Sequence, residues 1–439
     1  MRRLERVDWD GSSASELAAR LRSSVPGLAE ASGEVSALIE RVRAGRDAAL
    51  REIAAELGEA APDPLRVDPE APRAALAGLG SAVRDALEVA ARNIEAVARA
   101  DAEVVAAPSV CELPEGQRVE VRRQPVGAAG VYAPGGRAAY PSSVLMCAIP
   151  ARVAGVGRVA VATPPGEGGA PPATVLAACA VAGVDEVYAI GGAQAVAALA
   201  CGTESVPAVD VIAGPGSRWV TEAKRLVAGE VGIDGIAGPS ELVIVAGPEA
   251  RANWVALDVL AQAEHGDESP LAVLSWDRGL LDRVAGELDH LAADRPTVSA
   301  APVALVAAPD ADSALRLADA FAPEHLELAY DGAGEEAARE RVAGCVFVGH
   351  GAATAFGDYA AGSNHVLPTG GAARFGGPLG PAAFLRRTSV VSLPEVAAEA
   401  LAPHVAALAE AEGMPVHGES ATARAKEASD ERGARTRER

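Results

Sequence analysis

Residues 186–228 read EVYAIGGAQAVAALACGTESVPAVDVIAGPGSRWVTEAKRLVA. Within this run EVYAI (186–190) and VDVIAG (209–214) are short and apolar, while 192–201 and 217–228 have helical spacing. Upstream, RVAVAT (158–163) and the helix-like 171–182 repeat the alternation. Strand–helix–strand units of this period predict a parallel sheet covered on both faces, the α/β class. The turns Gly191-Gly192 and Gly214-Pro215-Gly216 each join a strand to a helix. That is the edge at which open α/β sheets bind ligands. No G-x-G-x-x-G lies there, so the usual dinucleotide fingerprint is missing.

A second alternating block follows. Its strands are ELVIVA (241–246), LAVLSW (271–276), VALVA (303–307), LELAY (326–330) and CVFVG (345–349). Helices are predicted near 249–264, 278–292, 310–321 and 335–342. Before both blocks, apolar residues at helical spacing predict helices within 14–58 and 72–106, through Leu17, Leu21, Val35, Ile39, Leu76, Val83, Leu87 and Ile94. QRVEVRRQ (117–124) alternates like a strand. The stretch 125–151 is a glycine- and proline-rich entry to an apolar helix, either a cradle of N–H groups for an anion or a plain tight connection. The tail from 383 reads as helix to about 411 and ends in the charged KEASDERGARTRER (426–439).

The chain of 439 residues is long enough for two or more domains, and 49% apolar content supports a large core. With 39 basic and 60 acidic residues the net charge is −21, which argues against nucleic acid or an anionic membrane as partner. Cys111, Cys147, Cys179, Cys201 and Cys345 have no paired spacing, so neither a disulfide framework nor a cysteine zinc site is predicted. The N-terminus lacks the apolar core of a signal peptide, and no apolar run is long enough to span a membrane. A cytoplasmic protein is expected.

Titratable residues cluster in four places. In FAPEHLEL (321–328), Pro323 keeps Glu324 and His325 out of a helix interior and at the mouth of a strand. The pair is either an acid–base couple or a solvated loop. In LAQAEHG (260–266), Gln262 and His265 share a helix face just before a glycine stop, as metal ligands or as solvent-face polar residues. GDYAAGSNH (357–365) offers Asp358 as a hard-oxygen ligand and His365 as a ligand or substrate contact. EGMPVH (412–417) puts His417 in a tail with little core of its own. Gln262, His265, Asp358 and His417 together would make an N/O site suited to zinc. His290, His350 and His404 have no such company and are read as surface residues.

These stretches, with GVYAPGG (130–136), YPSSVLMCAIPA (140–151), GGAQAVAAL (191–199), GPGSRWVTEAKR (214–225) and GIDGIAGPSE (232–241), resemble the histidinol dehydrogenase family. The resemblance runs from about residue 20 to 425. It implies NAD-dependent, zinc-dependent oxidation of L-histidinol to L-histidine through L-histidinaldehyde, the last steps of histidine biosynthesis. It implies one zinc per subunit on Gln262, His265, Asp358 and His417, which also border the substrate. It makes Glu324 and His325 the acid–base residues, with His325 facing substrate as well. Ser240, His365 and Glu412 match substrate positions, and Tyr132, Gln194 and Ser217 match NAD contacts. Ser217 departs from the asparagine usual after Gly-Pro-Gly, which removes an amide donor from that contact.

The implied fold is two incomplete Rossmann-like parallel-sheet modules of the aldehyde dehydrogenase type, with helical N- and C-terminal extensions. The expected division is an N-terminal extension over 1–30, a first module over 31–128 plus 240–382 with the metal and acid–base residues, a second, NAD-side module over 129–239, and a dimer arm over 383–439. Extensions exchanged in a homodimer would let His417 complete the partner's site. Rival readings are a zinc hydrolase in which Glu324 activates a metal-bound water, a binding protein that has lost catalysis, and an altered relative acting on another amino alcohol. Thiol catalysis by Cys147 is disfavoured because its run is apolar.

Overall fold

The computed structural model describes residues 3–23, 31–60, 63–135, 138–166, 168–334, 338–339 and 341–425. Part of the helix expected over 335–342, and all of 426–439, lie outside the described residues. The chain divides into two compact units, one of Met1–Ala102 with Val126–Phe384 and one of Glu103–Pro125 with Leu385–Arg439.

The first unit holds two parallel sheets. The larger has strand order β1 (Arg3–Asp8), β11 (Pro302–Ala307), β10 (Leu271–Ser275), β9 (Leu242–Ala246), β12 (His325–Ala329) and β13 (Cys345–Val348). The smaller runs β6 (Glu186–Ala189), β5 (Arg158–Thr163), β4 (Ala128–Tyr132), β7 (Val211–Ala213) and β8 (Gly232–Ile233). Every pairing in both is parallel. Central strands such as LVIVA and LAVLS are buried throughout, as expected for strands covered on both faces. Edge strand β1 instead exposes Glu5, Arg6 and Asp8, and charge on an edge discourages further pairing.

On the larger sheet, helices α9 (Ala252–Ala263) and α10 (Arg278–Ala292) cover one face. Helices α1 (Ala14–Arg22) and α11 (Ala311–Phe321) cover the other. Asp277 and Asp310 start α10 and α11 by accepting the N–H groups of Gly279 and Ser313. On the smaller sheet, α4 (Ser81–Val105), α5 (Pro141–Val153) and α6 (Ala173–Val181) pack on one side. There α2 (Ser32–Glu56), α7 (Gly192–Cys201) and α8 (Arg218–Val227) pack on the other.

Two placements differ from the sequence reading. Val35, Ile39 and Val42 of α2 and Leu87, Ala90 and Ile94 of α4 belong to the core of the smaller sheet, not to the metal-bearing module assigned to 31–128. Residues 3–8, read as part of an extension, are a strand of the larger sheet, because β11 presents an open edge to them.

The second unit is an antiparallel sheet of order β14 (Leu385–Ser392), β3 (Arg118–Pro125) and β2 (Ser109–Glu112), with helix α13 (Glu395–Ala411) and a further helix over 415–425. The reading of helix from 383 is corrected here. Residues 385–392 are a strand, paired along their whole length with 118–125.

A buried ion pair fixes the turn after β7. Lys224 Nζ donates to Asp234 Oδ1 at 2.5 Å and to Gly214 O at 2.9 Å, and Gly214 N donates to Asp234 Oδ2 at 2.7 Å. Gly214 has φ +125°, and a Cβ there would lie 2.1 Å from Tyr132 O, so only glycine fits. Lysine and aspartate side chains are 1% and 4% exposed. Removing one partner strands a buried charge, so Lys224→Met is expected to cost about 3–5 kcal/mol in urea unfolding. Adding Asp234→Asn should recover part of that loss, since the two sites are coupled. An unchanged midpoint in the single variant would contradict this role.

Candidate active site

The sequence Phe-Ala-Pro-Glu-His ends one helix and starts a strand within four residues. Ala322 closes α11 in the left-handed region, φ 48° and ψ 62°, a conformation non-glycine residues adopt rarely. Pro323 cannot continue the helix, and β12 begins at His325. Glu324 and His325 are therefore held at the N-terminal end of the larger sheet, 7% and 2% exposed. The Glu324 carboxylate accepts from Ser240 Oγ and from Glu241 N at 2.8 Å. His325 Nδ1 lies 3.1 Å from Glu241 O and 3.5 Å from Glu324 Oε2. A carbonyl only accepts, so Nδ1 carries a proton and Nε2 faces Asp358 Oδ1 at 3.7 Å. Burial favours the neutral ring, but Glu324 and Asp358 outweigh it and hold His325 well above the usual histidine range.

The metal-type residues arrive from two further helices. Gln262, 1% exposed, is in the last turn of α9, and its Nε2 donates to Ser240 Oγ. That leaves its carbonyl oxygen as the atom it could offer to a metal. His265 lies just beyond the helix end and lines the cleft. Asp358 lies on the short helix α12 (Thr354–Tyr359). Burial opposes its ionisation, yet His325, His365 and His265 keep its carboxylate below the usual range. His365 Nδ1 donates to Asp358 O at 2.9 Å, and its Nε2 is 3.4 Å from Ser143 Oγ. Burial lowers its pKa. Imidazole, carboxylate and amide oxygen converge here without a thiolate, a donor set that fits zinc.

A cleft of about 650 Å³ joins His265, Asp358, His365, Glu324 and His325, with Gln262 reaching it only through Ser240, and its volume is within the usual size of small-molecule sites. One wall carries Ser240, His265, Glu324, His325 and Asp358 near the N-terminal ends of β9 and β12. The facing wall carries Pro134, Gly135 and Pro215–Arg218, at the C-terminal ends of β4 and β7. Ser217, the first residue before α8, is exposed on this wall. Tyr132 and Gln194 are each 3% exposed and do not line the cleft. Tyr132 Oη accepts from Gly192 N at 3.0 Å, and burial raises its pKa to about 12. Glu412 and His417 lie in the second unit, the first just after α13 and the second in the helix over 415–425, both exposed.

Several contributors escaped the sequence reading. Arg22, at the end of α1, donates to Glu241 Oε1 at 3.0 Å and to Phe321 O, tying the N-terminal helix to the site. No local pattern marks an arginine whose partner is 219 residues away. Ser143 was inside a quoted motif but had no assigned role. Cys345 begins β13 beside His325, and burial raises its thiol pKa. His350, read as lacking company, has Asp331 Oδ1 at 3.2 Å with Glu249 adjacent, away from the cleft.

Two parallel sheets meeting over a cleft with a buried carboxylate–imidazole pair define an α/β enzyme built for proton transfer. The histidinol dehydrogenase family profile matches residues 22–425. A histidinol dehydrogenase of Aromatoleum aromaticum is 48% identical over 71% of this chain and 72% of its own length. That of Thermobifida fusca is 42% identical over 96% and 97%. A solved histidinol dehydrogenase from Elizabethkingia anophelis superposes with TM-score 0.90 at 28% identity, covering 97% of this chain and 99% of that one. This chain belongs to the histidinol dehydrogenase family. It is an oxidoreductase of histidine biosynthesis that oxidises histidinol to histidine, EC 1.1.1.23, and its family generally uses NAD and zinc. Among the described residues no helix is long and apolar enough to cross a membrane.

Proposed function

We propose that the cleft oxidises L-histidinol in two NAD-dependent steps, with L-histidinaldehyde between them, on a zinc ion held by Gln262, His265, Asp358 and His417. The observation that carries this reading is the convergence of Glu324, His325, His265 and Asp358 on one cleft. When bound, zinc orients the imidazole and amine of the substrate, and NAD takes up the two hydrides. His325 Nε2 accepts the alcohol proton in the first oxidation. A cation matched to Asp358 would remove one of the two carboxylates that favour the charged ring, and Glu324 orients the ring from the Nδ1 side. Glu324 deprotonates the water that converts the aldehyde to its hydrate, and His325 takes the hydrate proton in the second oxidation. His365 and Ser240 position the substrate, as does Glu412. Tyr132, Gln194 and Ser217 serve the NAD side, with the five-stranded sheet as the nucleotide module.

The second unit exposes Val391, Leu393, Val396, Leu408, Met414 and Val416. That much apolar surface on a small unit calls for a partner. A two-fold homodimer in which His417 and Glu412 complete the neighbouring site accounts for it. Five unpaired cysteines fit a cytoplasmic enzyme.

The deciding assay is NADH formation from L-histidinol with and without a chelator. Full turnover without NAD would support a hydrolase instead, and a rate indifferent to zinc stripping would remove the metal. His265→Asn is expected to lose bound zinc and activity together. Full zinc with full rate in that variant would exclude His265 as a ligand.

A further inference from the structure

Glu327 has no part in the chemistry above, yet it is a carboxyl group buried in an apolar layer, 4% exposed. Strand alternation puts it on the same face as His325 and Ala329, and Ala329 packs in the layer with α9 and α10. An isolated buried carboxylate is costly, so its partners need an account. Glu327 Oε1 accepts from Thr354 N at 2.9 Å, the first amide of α12. Its carboxyl also hydrogen-bonds the carboxyl of Asp258, on α9. Two carboxylates share such a bond only when one proton lies between them. Burial raises both pKa values, Asp258 to about 6, which keeps that proton in place.

The three elements joined here are the three that furnish the site. Asp258 is one helical turn before Gln262 on α9, with His265 just beyond. Glu327 is two residues after His325 on β12. Thr354 is one turn before Asp358 on α12. Gly357, midway along α12, packs so closely on Phe347 of β13 that an added Cβ would lie 2.6 Å from the ring. We propose that the Asp258–Glu327 pair is a positioning strut, which holds α9, β12 and α12 in the register that brings Gln262, His265 and Asp358 to one metal.

The strut rests on the zinc reading above, and its test separates the two. Zinc transfer from purified zinc-loaded protein to a chromogenic chelator is followed for E327L, E327Q, T354P and T354V. Hydrogen exchange of residues 354–359 is measured alongside. Ala353 already has φ −72° and ψ 146°, compatible with a following proline, so T354P removes the donated N–H at a helix position that accepts proline. T354V keeps that N–H and removes only the hydroxyl. E327Q still accepts from Thr354 N and can donate to the Asp258 carboxylate without a shared proton.

E327L and T354P are expected to weaken zinc retention by roughly 10–100-fold, the usual effect of losing an orienting partner behind a ligand. Exchange over 354–359 should rise in both. E327Q and T354V should hold zinc close to the wild-type level, a rescue that simple filling of the core by residue 327 would not produce. Should E327L fail to fold, T354P against T354V decides alone. Wild-type retention in T354P, or equal loss in T354P and T354V, or in E327Q and a folded E327L, overturns the strut. Zinc held at the wild-type level in both His265→Asn and Asp358→Asn overturns the zinc reading. The exchange of 354–359 in T354P then still decides the strut, faster in support and unchanged against.

Discussion

Replacing His325 with asparagine lowers kcat for histidinol oxidation by about 10²–10⁴-fold, the usual worth of a positioned general base. Asparagine can still donate to Glu241 O, which His325 Nδ1 contacts at 3.1 Å, so the backbone should stay in place. What it cannot do is take a proton at the position of Nε2. Both oxidations need that acceptor, and both should slow. Glu324→Gln behaves differently. Its amide oxygen can still accept from Ser240 Oγ and Glu241 N but is not a base, and only the conversion of aldehyde to hydrate requires an activated water. Single-turnover measurement with histidinaldehyde supplied directly should therefore show a far larger defect than the alcohol step. Equal slowing of the two steps by Glu324→Gln would contradict the division of roles.

The second large effect concerns shared sites. His265→Asn and His417→Asn are each expected to be inactive alone. When the two are mixed and subunits exchange, a heterodimer with crossed arms has one site with both lesions and one with neither. Random exchange makes half the dimers heterodimers, so about a quarter of wild-type activity should return. If each second unit serves its own chain, every site keeps one lesion and nothing is recovered. Exchange itself is verified with differently tagged subunits. No recovery in verified heterodimers would refute the crossed arrangement.

How far the sequence was readable follows from how local each signal is. The strands 158–163, 242–246 and 326–329 announce themselves because each is a short, mostly apolar run bounded by turns, interrupted only by Arg158, Thr163 and Glu327. Glu324 and His325 were visible for the same reason, through Pro323 and the strand that follows. β14 was not, although Thr388, Val390 and Val391 favour a strand, because its partner β3 lies some 260 residues upstream. β1 pairs with a strand about 300 residues downstream. The choice of sheet for α2 and α4 likewise depends on which apolar surface is unclaimed, which no window of sequence contains. Glu327 stood inside a quoted motif and would have been singled out by asking why a carboxylate shares a strand face with a buried histidine.

The Lys224–Asp234 pair carries a consequence beyond the turn it braces. A primary alcohol on its way to a carboxylate passes through an aldehyde, which condenses with free amines and adds to thiolates. This chain has two lysines in 439 residues, Lys224 and Lys426. Among the described residues Lys224 is the sole one, and its ammonium is sealed from solvent and committed to Asp234 and Gly214. Burial pushes the thiols of Cys147 and Cys345 upward, so neither presents a thiolate. Basic charge elsewhere in the described residues rests on arginine, whose guanidinium stays protonated. Among the described residues, Lys224, Cys147 and Cys345 are thereby withheld from imine and hemithioacetal formation with that aldehyde, the amine inside a salt bridge and the two thiols uncharged.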